Sequence, residues 1–465
     1  MIEKSELNQE YQYGFSDGDN SIFNTKKGLS ADVVKQISKL KNEPEWMLNL
    51  RLTAYQKFLN TPNPSWGPNL SALNYDEIIY YTTSSKKLES YWDKVPAQIK
   101  QTFEKLGIPE AEAKFLNGVS AQYDSETVYK NLEKELEEKG VIFTNIETAI
   151  LKYPHLVKKY FGKLVPFDDN KFACLNTAVW SGGSFVYVPK DVHLEKPLQA
   201  YFRINGLSSG QFERTLIILD DNASAHYVEG CTAPIYSEYN LHAAVVECFV
   251  GENANLKYTT IQNWSKNVLN LVTKRAHISK NGNMSWIDGN IGAGINMKYP
   301  ASILAGEYAT SECISIAVAS NNVIQDAGAK MIHLAPNTKS RIVSKSVAYN
   351  GGDTSYRGFI KIDKDAINSH ARVECDTLLL DEISRGDTIP IEIIKNRKSF
   401  LEHEAKVSNI SEEQLFYFMN RGISKDEAEY LIVMGFLEPF AKELPMEYAV
   451  ELNRLIKLDM EGSVG

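Results

Sequence analysis

A short polar turn recurs along the middle of this chain. The turns begin at Asp221, Glu252, Asn281 and Glu307, so the intervals between them are 31, 29 and 26 residues. Each turn opens a run that is typical of a β-strand: 224–228, 256–261, 284–287 and 311–318. Repeats of roughly 20–50 residues indicate a stacked architecture. We therefore predict a parallel β-helix, in which residues one coil apart lie about 4.8 Å from each other.

Helical patterns flank the predicted strands on both sides. Before about residue 165, apolar residues recur at helical spacing, as at Val33 and Ile37. After residue 405 the helical period returns, and Ser411 with Gln414 has the spacing of a capping box. We predict a mixed α and β fold with three domains: an N-terminal helical domain at 1–165, a β-helix core at 166–404 and a C-terminal helical domain at 405–465.

The composition argues against several classes of protein. A net charge of −9 disfavours a nucleic-acid binder, which would normally carry a basic face. No apolar run is long enough to span a bilayer, and the first residues, Met1–Glu6, lack the pattern of a secretory signal. Five scattered cysteines suit reduced thiols better than a disulfide framework. The sequence therefore predicts a cytoplasmic protein without a membrane or nucleic-acid partner.

The segment His370–Ala405 combines side chains that can bind a metal ion. It contains Cys375 and the cluster Glu402, His403 and Glu404. Thiolate, imidazole and carboxylate groups can hold iron or zinc, although no second cysteine completes a C-x-x-C pair. Cys375 and Glu404 are 29 residues apart, which is close to the repeat interval and predicts that they are neighbours on adjacent coils. From spacing alone, a metal site and a solvated surface cluster remain equally open.

Longer motifs occur in order along nearly the whole chain. They read Y-V-E-G-C-T-A-P at 227–234, I-Q-N-W at 261–264, K-M-I-H-L-A-P-N-T at 330–338, L-E-H-E-A at 401–405 and S-E-E-Q-L-F-Y at 411–417. Together they resemble the SufB/SufD family of the Suf iron–sulfur cluster assembly machinery, and within it the scaffold subunit, SufB. Several long matches in one order make this resemblance far more specific than any single short motif.

The resemblance implies a scaffold rather than an enzyme. Such a scaffold accepts persulfide sulfur from a cysteine desulfurase with its sulfur carrier, builds a transient iron–sulfur cluster and passes it to apo-proteins. The implied partners are SufD, paired through the β-helix or replaced by a second copy, and the ATPase SufC, docked on the C-terminal helices. The chain has no G-x-x-x-x-G-K-[ST] loop, which places ATP hydrolysis in a partner. Whether a reduced flavin supplies electrons is left open.

The resemblance also implies roles for individual residues. Cys231 matches the sulfur acceptor, and Cys375 with Glu404 matches the cluster site, with Glu402 and His403 as weaker neighbours. The residues implied for the sulfur path are Arg203, Asn205, Gln262, Trp264 and Lys280.

Each of these roles has a simpler structural alternative. Trp264 also suits the core, and Lys280, which precedes Asn281 and Gly282, also suits a solvated turn. The remaining cysteines, Cys174, Cys248 and Cys313, are interpreted as packing residues. His333 is interpreted in the same way, as a core histidine.

Two other functions compete with the scaffold. β-Solenoids also include polysaccharide-modifying enzymes, but that class is mostly secreted and uses dense aspartate clusters. A structural partner of the SufD type would lack the cysteine pair, whereas this chain has both Cys231 and Cys375.

Overall fold

The computed structural model of the chain describes residues 21–83, 89, 91, 94–105, 115–205, 209–233, 240–444 and 446–460. Met1–Glu6 and Pro234, the last residue of one family motif, lie outside these ranges. The helices are α1 Ala31–Leu40, α2 Glu45–Asn60, α3 Ala97–Lys105, α4 Lys134–Glu138, α5 Ile146–Lys152, α6 Pro154–Tyr160, α7 Lys171–Val179, α8 Glu412–Met419, α9 Lys425–Ala441 and α10 Met446–Met460.

Twenty-four strands are described. They are β1 Phe23–Asn24, β2 Thr82–Thr83, β3 Gly118–Tyr123, β4 Glu126–Leu132, β5 Ile142–Asn145, β6 Ser184–Val188, β7 Leu198–Arg203, β8 Gly210–Gln211, β9 Arg214–Leu219, β10 Ser224–Thr232, β11 Asn240–His242, β12 Val245–Val250, β13 Asn255–Trp264, β14 Val268–Ile278, β15 Asn283–Gly292, β16 Ile295–Lys298, β17 Ala301–Leu304, β18 Thr310–Ser320, β19 Ile324–His333, β20 Lys339–Tyr349, β21 Asp353–Ile362, β22 His370–Leu379, β23 Arg385–Ile394 and β24 Phe400–Asn409.

Two long sheets form the walls of a parallel β-helix. One follows the order β24-β22-β20-β18-β15-β13-β10-β7-β3-β4, and the other contains β23, β21, β19, β16, β14, β12, β9, β6 and β5. The chain passes from one sheet to the other and returns one coil further on, so neighbouring strands in each sheet are parallel through most of the stack. This confirms the predicted β-helix with helices at both ends.

Asparagine residues form the corners of successive coils. Asn222, Asn253 and Asn281 have left-handed backbones, with φ of 60°, 55° and 53°. Asparagine adopts this region more readily than most residues because its short side chain bonds locally. The side-chain amides also join one coil to the next, since Asn253 donates to Asn222 and Asn281 donates to Asn253, each over 3.0 Å. The polar turns in the sequence are therefore corners of the β-helix.

Strands also occur inside the segment 1–165, which the sequence predicted to be helical. β3 pairs in parallel with β7 and antiparallel with β4, while β5 pairs antiparallel with β6. These strands start the two sheets of the β-helix. At the other end, β24 continues to Asn409, five residues past the predicted boundary at 404. The two boundaries between the three domains remain a prediction.

The C-terminal helices fold back onto the outer face of the sheet that contains β10. Leu437 and Phe440 of α9 share one apolar cluster with Ile287 and Ile316 of that sheet. Lys257 on the same sheet forms an ion pair with Glu443, with Nζ 3.0 Å from Oε2. In the part of the chain that the structure describes, no helix combines the length and apolar character needed to cross a bilayer.

Candidate functional site

One column of polar side chains runs through the interior of the β-helix. Its members come from successive coils and pair with one another in register: Glu229, Thr260, Asp288, Ser315, Ser344 and Cys375. All of them are buried. Five steps of about 4.8 Å give the column a length of roughly 24 Å. It connects the two cysteines that the sequence singled out, because Cys231 lies two residues beyond Glu229 on the same side of β10.

At the first end of the column, Cys231 lies in a buried, acidic environment. Its Sγ–H donates to Oε1 of Glu229 over 3.9 Å, and the Tyr258 hydroxyl donates to the same carboxylate. Burial, followed by the carboxylates of Glu229 and Glu213, raises the pKa of Cys231 well above its ordinary value. The resting group is therefore a protonated thiol, with a carboxylate next to it that can accept its proton.

Two lysines from the opposite sheet reach into this interior. The Lys274 ammonium group donates to Thr260 Oγ1 over 2.6 Å and lies 3.4 Å from Glu229 Oε1. The Lys298 ammonium group lies 2.9 Å from Asp288 Oδ1 and donates to the side-chain oxygen of Gln262 over 2.9 Å. Both lysine side chains are 0% exposed. The sequence analysis did not include either lysine, because a buried lysine has no distinctive sequence pattern.

Four of the five residues predicted for the sulfur path are buried, and two of them lie beside Cys231 in the sheet. Gln262 pairs with Cys231 in register, and Arg203 pairs with the next residue, Thr232, whose hydroxyl accepts from Nη1 of Arg203 over 3.1 Å. Asn205 lies two residues after Arg203 in the sequence and is also buried. Trp264 lies beside His242, with ring centroids 4.8 Å apart.

Two of the path residues near Cys231, Gln262 and Trp264, have a buried donor without a hydrogen-bond partner in the described part of the chain. The donor atoms are Nε2 of Gln262 and Nε1 of Trp264.

Lys280, the fifth predicted path residue, lies elsewhere. It is exposed in the turn between β14 and β15, immediately before Asn281. The structure therefore supports the alternative of a solvated turn lysine. Lys274 and Lys298 reach the interior instead.

At the second end of the column, Cys375 faces an imidazole. Its sulfur lies 3.3 Å from Nε2 of His403. Nδ1 of His403 lies 2.6 Å from Oε1 of Glu392, and a carboxylate only accepts, so Nδ1 carries the proton and donates. In the neutral ring, Nε2 therefore presents its lone pair to the sulfur. A carboxylate behind an imidazole in this way also fixes the orientation of a metal-binding histidine.

The acidic neighbours of His403 point away from the sulfur. Cys375 pairs in register with Ala405, and Glu404 pairs with Glu374. Because side chains alternate along a strand, Glu402 and Glu404 lie on the outer face, where both are exposed. Only the backbone carbonyl of Glu404 approaches Cys375, at 3.6 Å from Sγ. The strands are neighbours as predicted, but within this chain the carboxylate does not face the thiol.

A further polar group lies close to Cys375. The hydroxyl of Tyr356 is buried and forms no hydrogen bond with any described residue. Burial, with Cys375 and Cys313 nearby, raises the pKa of Tyr356 well above its ordinary value. Tyr356 and Glu392 are two site residues that the sequence analysis missed.

The described residues contain no group of three or more His, Cys, Asp or Glu side chains arranged to hold a metal ion. Cys375 and His403 are thus two potential metal ligands at one edge of the site. The other cysteines are free and buried, at Cys174, Cys248 and Cys313. His333 bonds to Thr338 and Ser340 at 2.8 and 2.9 Å, as expected for a satisfied core histidine.

The environment of Cys375 leads to a prediction about its reactivity. Burial raises the pKa of Cys375 to about 11, with Thr388 opposing the shift through a hydrogen bond and Asp376 and Glu392 adding to it. A pKa that lies two units above the ordinary value leaves about 100-fold less thiolate at neutral pH. We expect alkylation of Cys375 by iodoacetamide, followed by mass spectrometry, to accelerate about tenfold per pH unit between pH 7 and 10.

The chain unfolded in urea provides the control for this measurement. Its cysteines should react at the rate of free thiols at every pH. A rate at Cys375 that already levels off near pH 8 in the folded chain would contradict the assigned environment.

Two family models and several full-length relatives match this chain. A family model described as "SUF system FeS cluster assembly, SufBD core domain" matches residues 202–436, and one described as "SufBD protein N-terminal region" matches residues 41–200. Iron–sulfur cluster assembly SufBD family proteins of Staphylococcus aureus strains USA300 and NCTC 8325 and of Staphylococcus haemolyticus strain JCSC1435 are each 58% identical to this chain. The matches span 465 residues, 100% of both chains in each case. The chain belongs to the SufBD family of the Suf iron–sulfur cluster assembly system.

Proposed function

We propose that this chain is a SufB-type scaffold that accepts persulfide sulfur at Cys231 and directs it through the β-helix to a nascent iron–sulfur cluster at Cys375. The observation that carries the proposal is the polar column between the two cysteines. A β-helix core needs no such column for stability, because buried polar groups cost free energy unless they are paired. A cysteine at each end favours the scaffold over a SufD-type structural subunit.

The transfer of sulfur to Cys231 requires no net oxidation. The Cys231 sulfur bonds to the terminal sulfur of the donor persulfide, the S–S bond of the donor breaks, and the donor leaves as a thiol. The proton of Cys231 passes to Glu229, 3.9 Å away, and then to the departing donor sulfur. The terminal sulfur on Cys231 keeps the negative charge, which Lys274 and Lys298 stabilise.

Some buried donors around the column have no hydrogen-bond partner among the described residues, which suits an anionic cargo. Gln262 Nε2 and Trp264 Nε1 lie at the Cys231 end, and the Tyr356 hydroxyl lies at the Cys375 end. A buried donor without a partner costs about 1–3 kcal/mol. A persulfide or sulfide that moves past these groups would accept from each of them. Lys280, which is exposed in a turn, has no part in this path.

The nascent cluster is the cargo of the site and completes its ligand set from a second subunit. Cys375 and His403 contribute a sulfur and an imidazole nitrogen as ligands, with Glu392 orienting the imidazole. Next to them the last coil exposes apolar side chains, with Ile391 52% and Phe400 64% exposed. This edge suits pairing with SufD or with a second copy, which would bring further ligands and bury the apolar surface. Glu402 and Glu404 would then lie at its rim.

The C-terminal helices are the proposed docking surface for SufC. Phe416, Tyr417 and Met419 of α8 are 65%, 56% and 49% exposed, which makes an apolar patch outside the β-helix. In this proposal, SufC hydrolyses ATP, a cysteine desulfurase with its carrier supplies sulfur, and the chain itself acts as a scaffold.

Narrowing the column in its middle tests the proposal. Ser315 and Ser344 face each other there, with their oxygens 3.3 Å apart. We expect Ser344→Val, which adds bulk and removes a hydroxyl, to reduce cluster formation from desulfurase-delivered sulfur at least about tenfold. Persulfide should accumulate on Cys231, visible by mass spectrometry as one added sulfur atom.

Ser285→Val is the matched control. Ser285 lies on the outer face of β15, so the same change there leaves the column intact and should leave assembly at the wild-type rate. Wild-type assembly in a folded Ser344→Val chain would refute transfer along the column.

A further inference from the structure

A cleft on the outside of the β-helix has no role in the scaffold proposal, although the backbone that carries Lys274 forms part of its wall. Its volume is about 430 Å³, within the range of small-molecule sites. It lies between the outer face of the β-helix, the start of α7 and the loop 61–66. Pro62 and Pro64 restrict the backbone of that loop, so this wall of the cleft is largely preformed.

The floor of the cleft is a notch between two cations. Arg275 pairs in register with Ala301, and Ala301 pairs with Lys330. The two cations are thus two coils apart, roughly 9.6 Å at the backbone, with only a methyl group between them. The small side chain of Ala301 leaves room for a ligand group that both cations can reach.

The charge of the cleft is positive and incompletely neutralised. Arg275 forms an ion pair with Asp169, with Nη1 2.8 Å from Oδ1. Lys171 donates to the carbonyl of Phe58 over 2.8 Å and has no carboxylate partner among the described residues. Nor does any described residue form a hydrogen bond or an ion pair with the ammonium group of Lys330. Lys274 also lines the cleft, but its ammonium group is buried against Glu229 inside the β-helix. The other three cations and the one anion leave a net charge of +2 at the cleft.

Aromatic rings form one side of the cleft. Trp66 and Tyr299 lie with ring centroids 5.7 Å apart, and Trp66 is 48% exposed. The Lys330 ammonium group lies 5.5 Å from the centre of the Tyr299 ring. Burial and the adjacent Arg275 lower the pKa of Lys330, with Asp169 opposing the shift. A bound anion would relieve the repulsion between these two cations.

We propose that this cleft binds a phosphate monoester that carries a flat ring, with the phosphate between Arg275 and Lys330 and the ring against Trp66. A phosphate monoester has a charge of about −1.5 to −2, which matches the net charge of the cleft better than a single carboxylate does. Trp66 is 48% exposed, which leaves part of its surface for stacking with the ring, although the Arg357 guanidinium lies 5.6 Å from its ring centre. The site is separate from Cys231 and Cys375, so the scaffold proposal does not depend on it.

Isothermal titration calorimetry of the full chain tests this site with AMP, adenosine and inorganic phosphate as probes. We expect AMP to bind with a dissociation constant below about 1 mM, and adenosine and phosphate to bind at least about tenfold more weakly. Lys330→Gln should weaken AMP binding at least about tenfold, and rising salt should weaken it in the wild-type chain. Trp66→Ala should weaken AMP binding but leave phosphate binding unchanged.

Lys339→Gln is the matched control, because Lys339 is exposed on the same β-helix outside the cleft. It should bind AMP like the wild type. Trp66 lies in a surface loop, so Trp66→Ala keeps the test valid if Lys330→Gln fails to fold. No heat of binding with AMP at about 10 mM, or AMP binding unchanged by both substitutions, would overturn the proposal.

Discussion

Cluster formation from desulfurase-delivered sulfur is expected to fall at least about tenfold when Cys231 is replaced by serine, because a hydroxyl cannot form the S–S bond of a persulfide. Reconstitution of the same variant with iron and inorganic sulfide should proceed as in the wild type, since the cluster end of the column is intact. Anaerobic assembly followed by absorption spectroscopy measures both rates.

Cys248→Ser provides the matched control for this variant. Cys248 is also fully buried in the β-helix, but it lies outside the polar column. Its replacement should leave the desulfurase-dependent rate unchanged. Equal losses from both sulfur sources in Cys231→Ser would mean that Cys231 supports the fold or the cluster rather than sulfur entry.

The largest expected loss of stability comes from Glu247→Ala. The Glu247 carboxylate lies 2.6 Å from Arg214 Nη2 and accepts from the backbone N–H groups of Gly162, Leu164 and Val165 at 2.7 to 3.0 Å. The side chains of Arg214 and Glu247 are 1% and 0% exposed, respectively. Breaking a buried pair by removing one partner leaves an uncompensated charge and costs about 3–5 kcal/mol. We expect a decrease of that size in the free energy of unfolding in urea.

Glu312→Ala is the comparison for Glu247→Ala. Glu312 pairs with Arg341 over 2.8 Å, but the two side chains are 32% and 51% exposed. Such a surface pair contributes about 0–1 kcal/mol. Similar effects of the two substitutions would show that Glu247 does not hold the segment 162–165 against the β-helix.

The repeat of polar turns was enough to predict the β-helix but not the register of its strands. The intervals between turns vary from 26 to 31 residues, so the partner of Cys375 was uncertain by one or two positions. A shift of one residue moves a side chain to the other face of a sheet. The separation of 29 residues pointed to Glu404, whereas Cys375 pairs with Ala405 and faces His403.

The interior charges could not be predicted for a different reason. Lysine is usually exposed, so Lys274 and Lys298 look like surface residues in a strand of alternating character. They are buried because Glu229 and Asp288 lie opposite them, and those partners come from other strands. Glu392 likewise lies on β23 and reaches His403 only through the fold. In each case the signal is a pairing between strands rather than a pattern along one strand.

The most direct test of the scaffold proposal is anaerobic reconstitution of the chain together with its proposed partners SufC and SufD, with iron and a desulfurase sulfur source. Absorption and Mössbauer spectra of the wild type and of Cys375→Ser would be compared. We expect a cluster in the wild type and its loss in Cys375→Ser, with unchanged folding and persulfide still formed on Cys231. A cluster of equal yield and equal spectrum in both would place the assembly site elsewhere and contradict the role assigned to the Cys375 end of the column.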